Sequence, residues 1–365
     1  MTENPVERFL VIFVSIFFEA LPFIALGALI SGTLEELLPQ GAITRLLPRR
    51  RTLAVAVSAL LGLIFPMCEC GIVPVMRRLL RKGLPLSCAV AYMLAAPVIN
   101  PVVMASTWAA FSGDRSGLDG LNSMQMVSLR VGLSFLTAFA VAHVVQWADR
   151  RYGLEALLRP IRGLDLHRHS HQTGNSASDD PPAAVEDKTT PASNLREESA
   201  LASSPARLRL PWYVRLVNIA EIAIHDFLEI TCFLILGATL AAIVQSADLI
   251  SYAPALKNSP ALAVPAMMLL AVLLCLCSEA DAFVAANLIA IPLGGKLAFL
   301  VLGPMLDLKL YLMYTRVFRP RLIWTIIGSV VLSVAILSLA THYCDPLVRS
   351  LVTTLLSSGS SHLSG

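Results

Sequence analysis

The sequence predicts an all-α polytopic membrane protein of about eight transmembrane helices in two pseudo-repeated halves, interrupted by broken or re-entrant segments. Three observations carry that expectation. The 365 residues are 56% hydrophobic and 15% charged, with a mean hydropathy of +0.70, a balance outside that of soluble domains. Apolar runs of about 20 residues recur, long enough to cross a hydrocarbon core of roughly 30 Å as helices. They are continuous rather than alternating, which excludes a β-barrel pattern. Finally, landmarks in the first half recur in the same order in the second.

Taken in order, the apolar runs place spans at about 9–34, 52–67, 84–111, 124–148, 216–247, 261–283, 296–315 and 322–343. The opening MTENPVERF has neither the basic start nor the small-residue cleavage site of a signal peptide, so the first run is expected to stay as a helix. The second run is short and ends at Pro66, which makes 66–76 a broken or re-entrant piece. The third is interrupted by Ala95-Ala96-Pro97-Val98-Ile99-Asn100-Pro101. Between the fourth and fifth runs, residues 163–207 are rich in Ser, Pro, Asp and Glu and nearly free of large apolar side chains. Such a segment buries too little surface to offset its ordering entropy and is expected to be disordered. His167, His169 and His171 alternate within it as part of a solvated polar run. The resulting organisation is a first transmembrane repeat over 1–150, a polar linker over 151–215, a second repeat over 216–345 and a tail over 346–365.

The duplication rests on three matches. Phe17-x-Glu19-x-x-x-Phe23-x-x-Leu26-Gly27-Ala28 recurs as Phe227-x-Glu229-x-x-x-Phe233-x-x-Leu236-Gly237-Ala238. Cys68-Glu69-Cys70 is echoed by Cys275-Leu276-Cys277-Ser278-Glu279-Ala280-Asp281, and Pro97-Val98-Ile99-Asn100 by Pro304-Met305-Leu306-Asp307. Internal duplications of this kind place transport sites at the repeat interface near the midplane, often on broken helices.

The chemistry-bearing candidates are the polar groups inside apolar runs. Thr52–Met76 carries no charge except Glu69, and an ionisable group at bilayer depth costs roughly 2.5–3.5 kcal/mol on insertion scales, so Glu69 marks function by default. It is flanked by Cys68 and Cys70, with Gly71, Pro66 and Pro74 around them. In a regular helix residues two apart diverge by about 200°, whereas a broken backbone brings both thiols to one ligand. Thiolates suit soft partners: Cu(I), Zn(II) or trivalent arsenic, which makes Cys68 and Cys70 the candidate metal ligands. Pro97, Asn100 and Pro101 are expected to shape a polar break on the pathway, together with Asp307. Glu19, Glu229, Glu279 and Asp281 are the candidate proton- or ion-coupling acids, and Lys309 is placed to neutralise one of the second-half acids. Glu221, His225 and Glu229 share a helix face, with the first two expected at the membrane surface.

The seven cysteines all lie in or beside apolar segments, so a secreted disulfide framework is not expected. No phosphate loop, dinucleotide fingerprint or His-Glu-x-x-His motif occurs. No cofactor, enzymatic activity or nucleic-acid partner is therefore expected, and the small net charge of +3 reflects basic loops. With the linker cytoplasmic, Arg77, Arg78, Arg81, Lys82, Arg150, Arg151, Arg159 and Arg162 obey the positive-inside rule. Eight simple spans leave Arg45, Arg49, Arg50 and Arg51, and Arg316, Arg319 and Arg321, on the wrong side. A re-entrant segment or interfacial helices would resolve that conflict.

Phe65-Pro66-Met67-Cys68-Glu69-Cys70-Gly71-Ile72-Val73-Pro74, then Arg77-Arg78-Leu79-Leu80-Arg81-Lys82-Gly83, then Leu94-Ala95-Ala96-Pro97-Val98-Ile99-Asn100-Pro101 resemble the bacterial permease family that contains the ArsP organoarsenical exporters and the YraQ-like permeases. The likeness covers nearly all of the chain outside the polar linker. It implies a multi-pass permease of the bacterial inner membrane, an exporter, with Cys68 and Cys70 as its thiols. Glu69 stands between them where many relatives carry Ser or another small residue, and a carboxylate between two thiols suits a divalent metal. The expected function is export of a soft metal ion or thiol-reactive, arsenical-like solute along a Cys68-Glu69-Cys70 pathway. The alternative is an intramembrane thiol redox or electron-transfer subunit. Expected partners are the lipid bilayer, the solute, and a second membrane subunit or a further copy of the chain.

Overall fold

The computed structural model describes residues 5–37, 47–48, 50–64, 67–112, 122–158, 212–246, 260–288 and 291–343. The expected linker disorder at 163–207, its histidines and the tail at 346–365 lie outside these residues. Apart from one isolated bridge between Leu158 and Phe318, every regular element described is helical.

The first half comprises α1 (Pro5–Leu37), α2 (Arg51–Leu60, extended by a 3-10 turn Leu61–Leu63), α3 (Glu69–Arg81), α4 (Leu86–Ala95), α5 (Pro101–Ala110), α6 (Ser123–Tyr152) and the single turn α7 (Leu154–Leu157). The second comprises α8 (Trp212–Ser246), α9 (Pro260–Leu274), α10 (Ser278–Asn287), α11 (Leu293–Leu302), α12 (Leu308–Val317) and α13 (Pro320–Tyr343). Among the described residues three helices are long and apolar enough to cross a membrane: Phe9–Leu37, Ser123–Tyr152 and Pro320–Thr341.

The remaining expected spans are divided. The run at 84–111 is two ten-residue helices, α4 and α5, and that at 296–315 is another such pair, α11 and α12. The run at 261–283 breaks between Leu274 and Ser278. At 1.5 Å per residue a ten-residue helix covers about 15 Å, half of the hydrocarbon core. Proline explains the break between α4 and α5. Pro97 and Pro101 offer no backbone N–H, and the chain restarts with Pro101 at the first position of α5, where a missing N–H costs nothing.

Contacts fix the directions of several helices. Ser31 meets Asp226, Gly32 meets Ile219 and Glu36 meets Arg215, so α1 and α8 pack antiparallel along their length. Gly27 faces Gly71, while Arg78 and Arg81 reach Glu35, so α3 runs beside α1 and in the same direction. A Cβ on Gly27 would lie 2.8 Å from the Gly71 Cα, so glycine is required for this approach. α12 also runs that way, from Lys309 beside Glu69 to Arg316 beside Arg77. The Leu158–Phe318 bridge and an Arg319 N–H donating to the Leu157 carbonyl bring the C-terminus of α6 to the same end. Arg51 acts on Asp149 near that terminus. α2 therefore enters from the end to which α3 returns, and the two form a hairpin. α5 leads the opposite way, for Ser123 at the start of α6 donates to the Phe111 carbonyl just beyond α5.

Candidate functional site

The helix breaks gather at one depth. Cys68 caps α3, Asn100 caps α5, Cys277 caps α10 and Asp307 caps α12, all in extended backbone. The Asn100 Oδ1 accepts from Val102 N–H at 2.9 Å and the Asp307 Oδ1 from Leu310 N–H at 2.6 Å. The Cys277 Sγ accepts from Ala280 N–H at 3.5 Å. A helix N-terminus carries partial positive charge, which favours the carboxylates placed there: Glu69, Glu279, Asp281 and Asp307.

Lys309, in the first turn of α12, joins the halves. Its Nζ lies 3.3 Å from Glu69 Oε1 and 3.4 Å from Asp307 Oδ2, and all three side chains are within 4% of full burial. Its stem lies against Gly237 of α8, where any Cβ would collide with the Lys309 Cγ. Glu69 Oε2 and Asp307 Oδ2 have no hydrogen-bond partner among the described residues. The expectation that Lys309 neutralises a second-half acid therefore holds for Asp307, and the pairing extends to Glu69 across the halves.

Four thiols surround this pair. Cys68 precedes the first turn of α3 and Cys70 lies within it, so the backbone break falls between them and the two thiols interact. Cys70 Sγ is 4.0 Å from Glu69 Oε1. Cys275, at positive φ (49°), sets its thiol against the backbone N–H groups of Leu308 and Lys309. Cys277 donates to Glu19 Oε1 at 2.9 Å. All six described cysteines are free thiols, and among the described residues no three His, Cys, Asp or Glu side chains are placed to hold one metal ion.

A cavity of about 620 Å³ opens between α3 and α8, lined by Arg77, Arg78, Arg81, Glu221, His225 and Asp226, with Pro74, Glu229 and Arg316 deeper in. It narrows onto Val73, Ile230, Phe233 and Met313. Val73 lies one turn beyond Glu69 on α3, Met313 one turn beyond Lys309 on α12, and Phe233 one turn before Gly237 on α8. The floor of the vestibule is thus one helical turn from the Glu69–Lys309 pair. Pro74 cannot donate to the Cys70 carbonyl, which leaves that oxygen free of its helical bond beneath the floor.

Salt bridges fasten the vestibule walls. Arg78 bonds Ser31 and Asp226, the latter at 2.7 Å, and reaches Glu35 at 3.3 Å. Arg77 pairs with Glu229 at 3.2 Å, and the Arg316 guanidinium lies 5.0 Å above the Phe233 ring. Of the sequence candidates, the structure brings Cys68, Glu69, Cys70, Gly71, Asp307, Glu19, Glu279 and Asp281 to the junction. Gly71 supplies close packing against Gly27. Pro97 and Pro101 make the break, and Asn100 spends its oxygen on capping α5. Glu229 lies in the vestibule wall, where Glu221 and His225 also stand. Sequence reasoning passed over Arg130, although a lone arginine in the apolar stretch Met124–His143 was the same signal that singled out Glu69.

Comparison with known proteins decides the family. A family described as predicted permeases, ArsP-like, matches residues 6–343. This chain belongs to that permease family. The permease is 33% identical over 324 residues to the UPF0718 protein YcgR of Bacillus subtilis, spanning 88% of this chain and 93% of that protein. It is 29% identical over 327 residues to a Streptococcus mutans protein named "Putative two-component membrane permease complex subunit", spanning 89% and 92%. No solved structure matches significantly. The permease is accordingly a multi-pass protein of the bacterial inner membrane whose role is transport rather than catalysis.

Proposed function

We propose that this permease exports a thiol-reactive solute, taken up from the cytoplasm through the vestibule and received by Cys70 and Cys68 beside the Glu69–Lys309 pair. The observation that supports this most is the nearness of the vestibule to the junction: its floor at Val73 and Met313 is one turn from Glu69 and Lys309. A volume of about 620 Å³ falls in the range of organic-ligand pockets and far exceeds a bare ion. The thiols are not arranged as a closed metal cage. Both features favour a compact organic molecule bearing a soft centre, such as a trivalent organoarsenical, over a naked metal ion.

In this reading the two halves are inverted repeats, α1–α6 matching α8–α13. Equivalent helices α1 and α8 run antiparallel, and each half carries two breaks with a capping Cys followed by a capping Asn or Asp. The vestibule end carries Arg50, Arg51, Arg77, Arg78, Arg81, Lys82, Arg150, Arg151, Arg215, Arg316, Arg319 and Arg321. The positive-inside rule makes this end cytoplasmic; a re-entrant α2–α3 hairpin removes the conflict at Arg50 and Arg51, and the inverted second half removes the one at Arg316, Arg319 and Arg321. The name of the Streptococcus relative extends the proposal to a partner subunit, which would co-purify with the tagged chain.

Flux into inside-out proteoliposomes tests the reading, with a trivalent phenylarsenical, zinc and Cu(I) supplied in parallel. The expected outcome is uptake of the phenylarsenical that falls at least tenfold in the Cys68→Ser/Cys70→Ser variant. Uptake unaffected by that double change would defeat the assignment of the thiols.

A further inference from the structure

On the far side of the junction one arginine ties three helices together, and a buried acid beside it keeps one oxygen without a hydrogen-bond partner among the described residues. Arg130 of α6 is 1% exposed. It donates from Nη1 to the Thr107 hydroxyl of α5 at 2.6 Å and from Nη2 to the Ser278 carbonyl of α10 at 2.8 Å. One side chain thereby ties α5, α6 and α10 together, and both of its acceptors are neutral. Its Nε has no partner among the described residues.

Asp281, in the first turn of α10, is also 1% exposed. Its Oδ2 has no hydrogen-bond partner among the described residues and is set against Gly303, where a Cβ would lie 2.5 Å from that oxygen. The charged groups around it come from several elements. Arg130 faces it from α6, Glu69 from α3, and Lys309 with Asp307 from the start of α12. Glu279 and Cys277 belong to its own segment, and α11 carries Lys296 two turns before Gly303. α5 presents only the Thr107 hydroxyl, through Arg130. Lys309 is engaged by Glu69 and Asp307. Of the two cations that act on Asp281, Lys309 is thus paired with Glu69 and Asp307, and Arg130 is hydrogen-bonded to neutral groups. A buried carboxylate with an orphaned oxygen is costly, whereas the neutral acid is not.

We infer that Asp281 is an exchangeable proton site of the transport cycle, and that Arg130 is the positioning residue that empties it. In the present conformation Asp281 is a neutral carboxylic acid. Opening the far side separates α5 from α10, which takes the Thr107 hydroxyl and the Ser278 carbonyl from the Arg130 guanidinium. Arg130 then turns to Asp281. The Asp281 O–H bond breaks, the proton passes to water in the opened half-path, and the guanidinium balances the carboxylate left behind. No electron changes hands. The proposal rests on the transport reading above and adds the proton as coupling ion.

Infrared spectroscopy of the purified full-length chain tests the site without any solute. At neutral pH the wild type is expected to show a carboxylic-acid carbonyl band that Asp281→Asn lacks, with helix content unchanged by circular dichroism. Identical acid bands in the two proteins would overturn the proposal. Arg130→Lys, which keeps the charge but loses the second donor, is expected to shift the titration of that band by at least one pH unit, and an unmoved titration would remove Arg130 from the account. In proteoliposomes supplied with the trivalent phenylarsenical, the response of flux to an imposed pH gradient should fall at least tenfold in Asp281→Asn. A full response in that variant would also overturn the proposal. Absence of phenylarsenical flux from the wild type would count against the transport reading alone, because the infrared result stands independently of it.

Discussion

Lys309 is the residue on which the two halves depend most directly. Its ammonium is the counter-charge for two carboxylates held at helix N-termini, with Gly237 leaving room for its stem. Removing one partner of a buried ion pair leaves an uncompensated charge. Lys309→Met should therefore lose about 3–5 kcal/mol of stability, read by thermal unfolding in detergent. Adding Glu69→Gln should recover a large part of that loss, because the pair then vanishes together; purely additive losses would show that the two residues do not act as a pair. Asn100 makes a smaller contribution of another kind. Asn100→Ala removes a helix cap and should cost about 1 kcal/mol, whereas Asn100→Ser, which keeps a neutral acceptor for the Val102 N–H, should cost less than half of that in the same assay. The importance of Glu69 could be read from sequence because a lone charge in an apolar run is conspicuous. Its pairing could not, since Lys309 lies 240 positions away and only the tertiary fold brings them together.

The broken helices are the elements that make a site. Pro97 and Pro101 announced the break before α5, which occurs where expected; of the segment 66–76, by contrast, residues 69–76 are helical and the described break is confined to Met67 and Cys68. The length of the pieces was less legible. Hydropathy averages over a window of about 20 residues, so α4 with α5, and α11 with α12, each read as one span. The structure divides each into ten-residue halves, so that α4 and α11 end at a break and α5 and α12 begin there. The α2–α3 hairpin follows the same logic. Cysteines introduced at Arg51 and Arg81, at its two ends, should both react with a membrane-impermeant maleimide from one side of the membrane. Reaction from opposite sides would mean that α2 and α3 together cross the bilayer. Close packing of glycine on glycine holds that hairpin to α1. Gly27→Leu should push α3 away and cost about 1–3 kcal/mol by overpacking, measured by denaturation of the purified protein.

At the scale of the whole molecule, the described residues form a vestibule at one end, walled by Arg77–Glu229 and Arg78–Asp226, and on the other side of the junction Arg130 ties α5, α6 and α10 together. The fold class and its membrane character were evident from composition alone, because 56% hydrophobic residues leave few other solutions. The vestibule was not evident, since its walls come from α3, α8 and α12 and its acids look like ordinary surface charges in one dimension. The central claim is that this vestibule opens to the cytoplasm and leads to Cys70. Single cysteines at Glu221 and Val73, in a background where exposed Cys232 is replaced by serine, test it with an impermeant thiol reagent applied to vesicles of each orientation. Both positions should label in inside-out vesicles and remain unlabelled in right-side-out ones, with Val73→Cys the slower of the two. Labelling of Val73→Cys from the right-side-out face alone would contradict the account.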